Sequence, residues 1–221
     1  SKNNTHPCYA LKCDIKKFFD SIDHCILINI LNERIKDEKV RLLLREVVGS
    51  FEAGRTNLFE PKGVPIGNLT SQIFANIYMD RFDQFIKHTL KVKNYARYTD
   101  DFVIVSDDRV YLENLLFPIR EFLKTELHLE LHPKKVIIKK HNQGVDFLGY
   151  VILPHHIKIR TKTKRKIPKK LRQSVTLYKT GEVSEMSLKS SLASYLGVLS
   201  HANAYEMSND IRNMFWFWMQ E

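Results

Sequence analysis

Hydrophobic and polar residues alternate in several short segments of the chain, and this alternation predicts β-strands. The first segment is Tyr9–Ile15, YALKCDI, which is bounded by polar residues. Residues 95–105, YARYTDDFVIV, place two short apolar segments around an acidic turn and predict a β-hairpin. Three later segments also have the composition of strands: LHLEL, VIIKK and FLGYVIL.

Other segments repeat their apolar residues at helical spacing. Residues 23–35, 37–50 and 109–127 are predicted helices, and the clearest one begins at Asn68 with NLTSQIFANIYMDRF. In the second of these helices, the residues expected to form one apolar face are Val40, Leu42, Leu43, Val47 and Val48.

The order of these segments predicts the architecture. Residues 51–65 contain glycine and proline and predict a loop, and the chain becomes basic and helical from about residue 163. Strands are joined by hairpins as well as by helices, which favours an α+β fold over a doubly wound sheet. We therefore expect one domain over residues 1–158 and a helical domain over residues 159–221.

Composition limits the classes of protein that are possible. The 221 residues are 43% hydrophobic and 27% charged, which is ordinary for a globular protein. No apolar run approaches the roughly 20 residues of a membrane helix, so no membrane association is expected. The polar N-terminus does not resemble a signal peptide, and the expected location is the cytoplasm. Three cysteines without a CxxC pair predict neither a disulfide framework nor a zinc ribbon.

The charge of the chain favours a polyanionic partner. Lysine and arginine number 35 against 25 acidic residues, which gives a net charge of +10. Such an excess favours nucleic acid, because neutralising phosphates releases counterions. The segment from Lys158 to Arg172 carries many of the basic residues and no acid. A solvated charged surface usually mixes signs, so this segment predicts a nucleic-acid contact.

Three aspartates occupy positions that are unfavourable without a counter-charge. Asp14 ends the first predicted strand, and Asp100 and Asp101 lie at the turn of the predicted hairpin. If the two strands are neighbours, the three carboxylates converge and offer the oxygen ligands that Mg²⁺ prefers. Two such ions would stabilise the attacking and leaving oxygens of a phosphoryl transfer. The alternative is that the Asp-Asp pair is an ordinary turn, since aspartate favours turns.

The motifs around these acids resemble those of reverse transcriptases. ARYTDDFVIV is similar to the YxDD box of that family, and LKCDIKKFFDSIDH is similar to its first metal motif. Other segments resemble further family motifs in the family's order: GVPIGNLTSQIFANIYMD, LELHPKKVII, the primer-grip hairpin FLGYVI and the thumb segment SYLGVLSHANAY. The resemblance implies an RNA-directed DNA polymerase with a palm, an antiparallel sheet packed on helices, and a C-terminal helical thumb. It also implies that most of the fingers region is absent.

The motif GVPIGNLTSQIFANIYMD, which lies between the two acidic motifs, narrows the resemblance to one group of reverse transcriptases. Ile66 and Gln72 stand where most reverse transcriptases have a glutamine and a proline, and VPIGNLTSQ is similar to the enzymes of diversity-generating retroelements. Those enzymes copy a template repeat with frequent errors at adenines and use a small basic accessory protein. Two alternatives stay open: a group II intron-type reverse transcriptase or maturase, and a catalytically idle palm and thumb that binds RNA.

The resemblance also implies roles for single residues. Asp14, Asp100 and the carbonyl of Ile15 would hold two Mg²⁺ ions, and Asp101 would support the ion nearest the primer end. Lys135 would act near the leaving pyrophosphate. Phe19 would lie under the ribose and select deoxynucleotides, since a bulky ring clashes with a 2′-OH. The nucleotide site would also include Ile66 and Gly67.

The remaining implied residues would contact the primer and the template. The substrates implied are an RNA template, a DNA or RNA primer and dNTPs. Tyr98 would pack beneath the primer terminus, and Gly149 and Tyr150 would shape the primer grip. The basic residues expected to follow the nucleic-acid backbone are Lys158, Arg160, Lys162, Lys164 and Arg165.

Overall fold

The computed structural model describes residues 7–52 and 62–221. The chain forms two compact units, residues 7–139 and residues 140–221. The division between them falls earlier in the chain than the expected domain boundary between residues 158 and 159. The naming of the two domains as palm and thumb stays a prediction.

The first unit is built on a four-stranded sheet with the strand order β2-β3-β1-β4. Strand β3 pairs antiparallel with both β1 and β2, and this pairing confirms the predicted hairpin. The strand bounds are β1 (Tyr9–Asp14), β2 (Tyr95–Tyr98), β3 (Asp101–Ser106) and β4 (Ile137–Lys140).

Five helices complete the described part of the first unit. Their bounds are α1 (Phe18–Ser21), α2 (His24–Arg34), α3 (Glu38–Gly49), α4 (Leu69–Gln84) and α5 (Arg109–Leu127). A π-helical turn over Phe85–Thr89 extends α4, and a 3₁₀ turn over Ser50–Glu52 follows α3. Three of these helices are preceded by an N-cap aspartate whose carboxylate accepts backbone N–H groups of the first turn: Asp23, Asp37 and Asp108.

The core of this unit lies between the sheet and the helices. Alternate residues of β1 and β3 are buried there, and the Phe82 ring of α4 lies 5.0 Å from the Phe102 ring of β3. Because side chains alternate along a strand, Lys12 and Asp14 project from the opposite face of β1 to Leu11 and Cys13. Asp14 therefore lies on the sheet face opposite the hydrophobic core.

The predicted apolar face of α3 was wrong. Val48 is buried and Val47 is partly buried, but Val40, Leu42 and Leu43 are 42%, 51% and 58% exposed. The helix instead turns a different side towards α2, where Arg41 donates hydrogen bonds to the carbonyls of Asn32 and Ile35. Val40 and Leu43 do share one helical face, at i and i+3, but the covered face of α3 is the neighbouring one, which carries Leu44 and Val48.

One predicted strand is not formed, and one predicted loop lies partly outside the described residues. LHLEL was predicted to be a strand, but Leu127 is the last residue of α5, and His128, with a left-handed φ of 49°, caps the helix. Leu129 and Leu131 are buried because the segment packs on the core, and only Leu131 of the segment makes a β-bridge to a described residue, Ile15. This burial produces the alternation. The loop predicted over residues 51–65 falls partly on residues 53–61, which lie outside the described residues.

The second unit combines a small sheet with a helical layer. Its sheet has the antiparallel order β5-β6-β7, with bounds β5 (Val145–Phe147), β6 (Tyr150–Ile152) and β7 (Ile157–Ile159). Its helices are α6 (Thr161–Lys179), α7 (Glu185–Ser200) and α8 (Tyr205–Gln220), and a 3₁₀ turn spans His141–Gln143. A separate core forms between the helices from Ile167, Leu171, Val175, Leu188, Leu199, Ile211 and Phe215.

The fold class is α+β, as predicted, with antiparallel sheets packed on helices. Among the helices of the described residues, none combines the length and the hydrophobicity that crossing a bilayer requires.

Candidate active site

Two of the predicted acids face each other across neighbouring strands. Asp14 of β1 and Asp101 of β3 are direct partners in the antiparallel register. The backbone N–H of Ile15 donates to the carbonyl of Asp100 at 3.2 Å, which continues the pairing by one residue. The backbones of Asp14, Asp100 and Asp101 therefore come together at one end of the sheet, as expected for neighbouring strands.

Tyr98 extends this arrangement to a third strand. Tyr98 of β2 is the register partner of Asp101, so Tyr98, Asp101 and Asp14 form a row across β2, β3 and β1. Directly paired residues project from the same face of a sheet. The tyrosine is 60% exposed and lies beside the acids.

Two lysines neutralise the facing acids. Like charges directly opposite each other destabilise a sheet unless a counter-charge is present. The Lys12 Nζ lies 3.3 Å from Asp101 Oδ2, and the Lys135 Nζ lies 2.8 Å from Asp14 Oδ2. Lys135, predicted to act at the site, therefore lies beside it. Lys12 is a cationic residue of the site that the sequence analysis missed.

The signal for Lys12 was present in the sequence. Residues two apart share one face of a strand, so Lys12 accompanies Asp14 on β1. Because Lys12 is paired with Val103, it is the diagonal neighbour of Asp101 on β3. The diagonal contact required the register of the two strands, which the alternating pattern alone does not specify.

The surroundings of Asp101 disfavour the ionised form of its carboxyl group. Burial raises the pKa of the Asp101 carboxyl, and the charges of Asp14 and Asp100 act in the same direction against Lys12. The Asp101 Oδ1 is buried and accepts no hydrogen bond from the described residues. In contrast, the hydrogen bond to Asp14 raises the pKa of Lys135, so its amine is held in the charged form.

The donor set fits a hard divalent cation, although the carboxylates are not arranged as a preformed cage. Carboxylate oxygens, including the unpartnered Asp101 Oδ1, are the ligands that Mg²⁺ prefers. Within residues 7–52 and 62–221, however, no three histidine, cysteine or acidic side chains are grouped closely enough to ligate one ion. The carboxylates of Asp14 and Asp101 face amines instead, and cation binding would require them to exchange these partners.

The predicted nucleotide residues lie on two segments that are hydrogen-bonded to each other. Phe19 is partly buried and contacts the buried ring of Phe18, with 5.3 Å between the ring centroids. The carbonyl of Phe19 accepts the N–H of Val64 at 2.8 Å, just before Ile66 and Gly67. Ile66 is 79% exposed, and Gly67 has a φ of 105°, a conformation that favours glycine.

The predicted primer-grip residues belong to the second unit. Leu148 and Gly149 both have positive φ and form the two-residue turn between β5 and β6. The carbonyl of Gly149 accepts the N–H of Arg160, and the Tyr150 hydroxyl donates to the carbonyl of Val198. The Arg160 guanidinium pairs with Asp146. Tyr150 and Arg160 therefore also stabilise the unit that carries them.

The basic segment forms an exposed surface on β7 and α6. Lys158 is exposed on β7, and Lys162, Lys164 and Arg165 are exposed in the first turns of α6. The opposite side of α6 buries Ile167, Leu171 and Val175 at helical spacing. The helix therefore separates its apolar contacts from a side rich in positive charge.

The sheet, the helices behind it and the row of acids at its end are those expected of a polymerase palm. The family described as "Reverse transcriptase (RNA-dependent DNA polymerase)" matches residues 1–152, which is more than half of the chain. The chain belongs to the reverse transcriptase family.

Several curated proteins are similar to this chain. The putative COX1/OXI3 intron 2 protein of Saccharomyces cerevisiae is 27% identical over 207 residues, covering 67% of this chain and 24% of that protein. The group II intron-encoded protein LtrA of Lactococcus lactis is 24% identical over 242 residues, covering 81% and 38%. Protein YkfC of Escherichia coli is 26% identical over 181 residues, covering 66% and 47%. The chain thus spans less than half the length of these relatives.

Solved telomerase structures share the fold. The structure of Candida tropicalis telomerase in complex with a fragment of telomeric RNA has a TM-score of 0.56 at 13% identity, covering 94% of this chain and 40% of that one. The apo telomerase of the same organism gives a TM-score of 0.56 at 17% identity, covering 88% and 37%. At these identities the likeness supports the fold alone.

Proposed function

We propose that this chain carries the catalytic palm and the basic thumb of an RNA-directed DNA polymerase. The reaction would transfer a nucleotide from a dNTP to the 3′-OH of a DNA or RNA primer on an RNA template. The observation that carries the proposal is the row of Tyr98, Asp101 and Asp14 across three strands, with Asp100 adjacent. Family membership supports the same reaction.

The acids would provide the metal ligands. Asp14, Asp100 and the carbonyl of Ile15 would hold two Mg²⁺ ions, with Asp101 supporting the one nearest the primer end. Ions held there would supply activation of the attacking oxygen and charge stabilisation of the leaving pyrophosphate. Lys135, already beside Asp14, would then protonate the pyrophosphate or stabilise its charge.

The remaining residues would position the substrates. Phe19 would lie beneath the deoxyribose and exclude a 2′-OH, while Gly67 would permit close backbone approach of the nascent base pair. Tyr98 would support the primer terminus, and Gly149 and Tyr150 would form the primer grip. The exposed basic residues from Lys158 to Arg165 would follow the phosphate backbone.

Primer extension tests the proposed reaction. The protein, expressed with any flanking residues that its gene encodes, is incubated with an RNA template, a labelled primer, dNTPs and Mg²⁺. We expect extension by the wild type and by Asp107→Ala, a control at an exposed residue directly after β3. We expect none from Asp100→Ala/Asp101→Ala. RNA binding without extension by the wild type would instead support an RNA-binding module.

We further propose that the enzyme belongs to a bacterial or phage retroelement of the diversity-generating type and copies a template repeat with low fidelity. Ile66 supports this proposal, because an aliphatic side chain offers no hydrogen bond that would discriminate against a mispaired incoming nucleotide. A small basic accessory protein would assist the copying. A group II intron-type enzyme is the second candidate, and the similarity to LtrA favours it.

Sequencing of the extension products separates these two candidates. Errors concentrated opposite template adenines would support the diversity-generating type, and uniformly rare errors would support the intron type. Ile66→Gln is the matched variant, since the exposed position accepts a polar side chain without disturbing the core. We expect Ile66→Gln to lower the error rate opposite adenine, and an unchanged error rate would exclude a role for Ile66.

A further inference from the structure

The turn that carries the two neighbouring acids has a strained backbone. Thr99 directly precedes Asp100 and has a φ of 52°, in the left-handed region that residues with a side chain rarely adopt. A residue in this conformation persists only where the surrounding structure holds it. The Thr99 hydroxyl lies 2.8 Å from both Asp100 Oδ1 and the carbonyl of Tyr98, so its single proton is shared between this acid and the backbone of the turn.

Arg97 provides the restraint. Its Nη1 donates to the carbonyl of Thr99 at 2.9 Å, directly at the strained residue. Its Nε and Nη2 donate to the two carboxylate oxygens of Asp83 at 2.8 and 2.6 Å. One planar guanidinium therefore joins the acidic turn to the last turn of α4.

The network is built into the core side of the sheet. Arg97 alternates with Tyr98 along β2, so its side chain projects from the face opposite the acids, and that side chain is only 9% exposed. A buried cation requires a partner, and Asp83 supplies it. The Tyr95 hydroxyl also donates to Asp83 Oδ1 at 2.6 Å, which fixes the carboxylate from a second direction.

We propose that Arg97, anchored by Asp83, is a positioning residue that sets the Asp100–Asp101 turn for cation binding. The inference rests on the proposed polymerase function. Arg97 touches neither substrate nor reacting atoms in this role and acts through the carbonyl of Thr99. Lysine has a single amine in place of the guanidinium fork, so it cannot reproduce the bonds to both Asp83 and Thr99.

Arg97→Lys is the first test, and Asp83→Asn is the second because it leaves the Thr99 bond available if the lysine variant does not fold. The matched controls are Arg34→Lys and Asp80→Asn. Arg34 and Asp80 form an ion pair at 2.5 Å that also involves α4 but has no bond to the acidic turn. Thermal unfolding shows which variants are folded.

Two further readouts separate positioning from stability. Mn²⁺ binding, followed by the loss of the free-ion EPR signal, needs no polymerase activity. We expect folded Arg97→Lys to need about tenfold more Mn²⁺ for half-saturation, the scale of a lost supporting residue around a metal site. In extension assays we expect kcat to fall about tenfold with little change in the KM for dNTP. Asp83→Asn should show smaller losses in the same direction, and both controls should match the wild type.

The outcomes distinguish the two proposals. Wild-type Mn²⁺ half-saturation and kcat in a folded Arg97→Lys or Asp83→Asn variant would overturn the positioning role. Equal losses in the Arg34 and Asp80 controls would also overturn it, because they would indicate a general effect on α4. Absence of extension by the wild type would instead contradict the polymerase function.

Discussion

The two units of the chain concentrate charge in different ways. In residues 7–139 the acids come from strands far apart in the sequence, and the strand register places Asp14 opposite Asp101. In residues 140–221 the basic residues are almost consecutive, and α6 exposes them simply because its other side is buried. The comparison shows that a converging site requires long-range pairing, whereas an electrostatic surface requires only local composition and one amphipathic helix.

The acidic site and the basic helix also differ in their effect on the stability of the fold. Facing carboxylates repel each other, and here Lys12 and Lys135 offset the repulsion. Exposed lysines on a helix remain in water and need no partner. Substitutions in the acidic site should therefore affect catalysis far more than stability. Substitutions on the buried side of the basic helix should lower stability, and substitutions on its exposed side should lower the affinity for phosphates.

The largest expected effect is that of Asp14→Asn on activity. We expect extension to fall on the order of 10³-fold, because an electrostatic contribution to the transition state is lost. The melting temperature should not fall, because the substitution removes a like-charge contact and only an exposed partner, Lys135, loses its ion pair. Single-turnover extension and thermal unfolding measure the two quantities.

Asp107→Asn serves as the control for this prediction, since Asp107 is exposed and follows the other end of β3. A large loss of stability in Asp14→Asn would show that the acid is a structural residue and would remove the contrast between the units.

Truncation in the second core should have the next largest effect. Leu171 is fully buried in the cluster of residues 140–221, so Leu171→Ala should lower the free energy of unfolding of that unit by about 2–5 kcal/mol. The two clusters share no buried residue, so amide-exchange protection of β1 and β3 should persist. Exposed Gln173→Ala is the control, and loss of protection throughout residues 7–139 would refute independent cores.

Neutralising the basic helix should change the salt dependence of RNA binding. Each lost phosphate contact reduces the slope of log K against log salt by about one unit, so Lys164→Gln/Arg165→Gln should reduce it by about two. Lys189→Gln is the control, because Lys189 is exposed on α7 and paired with Glu185 at 2.6 Å. An unchanged slope in the double variant would show that this surface does not contact the backbone.

The smallest expected effect concerns backbone strain, which both units contain. Leu148 in the second unit and Thr99 in the first share a φ of 52°. Leu148 is 45% exposed, so Leu148→Gly should relieve the left-handed strain and raise stability by about 0.5–1 kcal/mol. Thr99→Gly should instead reduce activity, because it removes the hydroxyl beside Asp100 Oδ1 and gives the backbone that presents the acids more freedom. Denaturant unfolding and extension assays test the pair, and equal behaviour of the two variants would contradict the distinction.

Much of the first unit could be predicted from local pattern. The strand predicted over Tyr9–Ile15 is β1, the hairpin is β2 and β3, and the helix predicted over residues 109–127 is α5. Prediction failed where burial followed tertiary contact, as on the exposed side of α3 and in LHLEL. Arg97 was missed for the same reason, because its partner Asp83 lies on a different element.

The sequence by itself determined most of the elements, the excess of positive charge and the candidate acids, because these depend on neighbouring residues and on residue type. Only the tertiary structure decided that Asp14 faces Asp101, that Lys12 and Lys135 neutralise them, and that Arg97 holds the turn. Each of these contacts joins segments that are distant in sequence or depends on strand register. A register shift of one residue would turn every side chain of β1 to the opposite face, so local pattern alone does not specify the site.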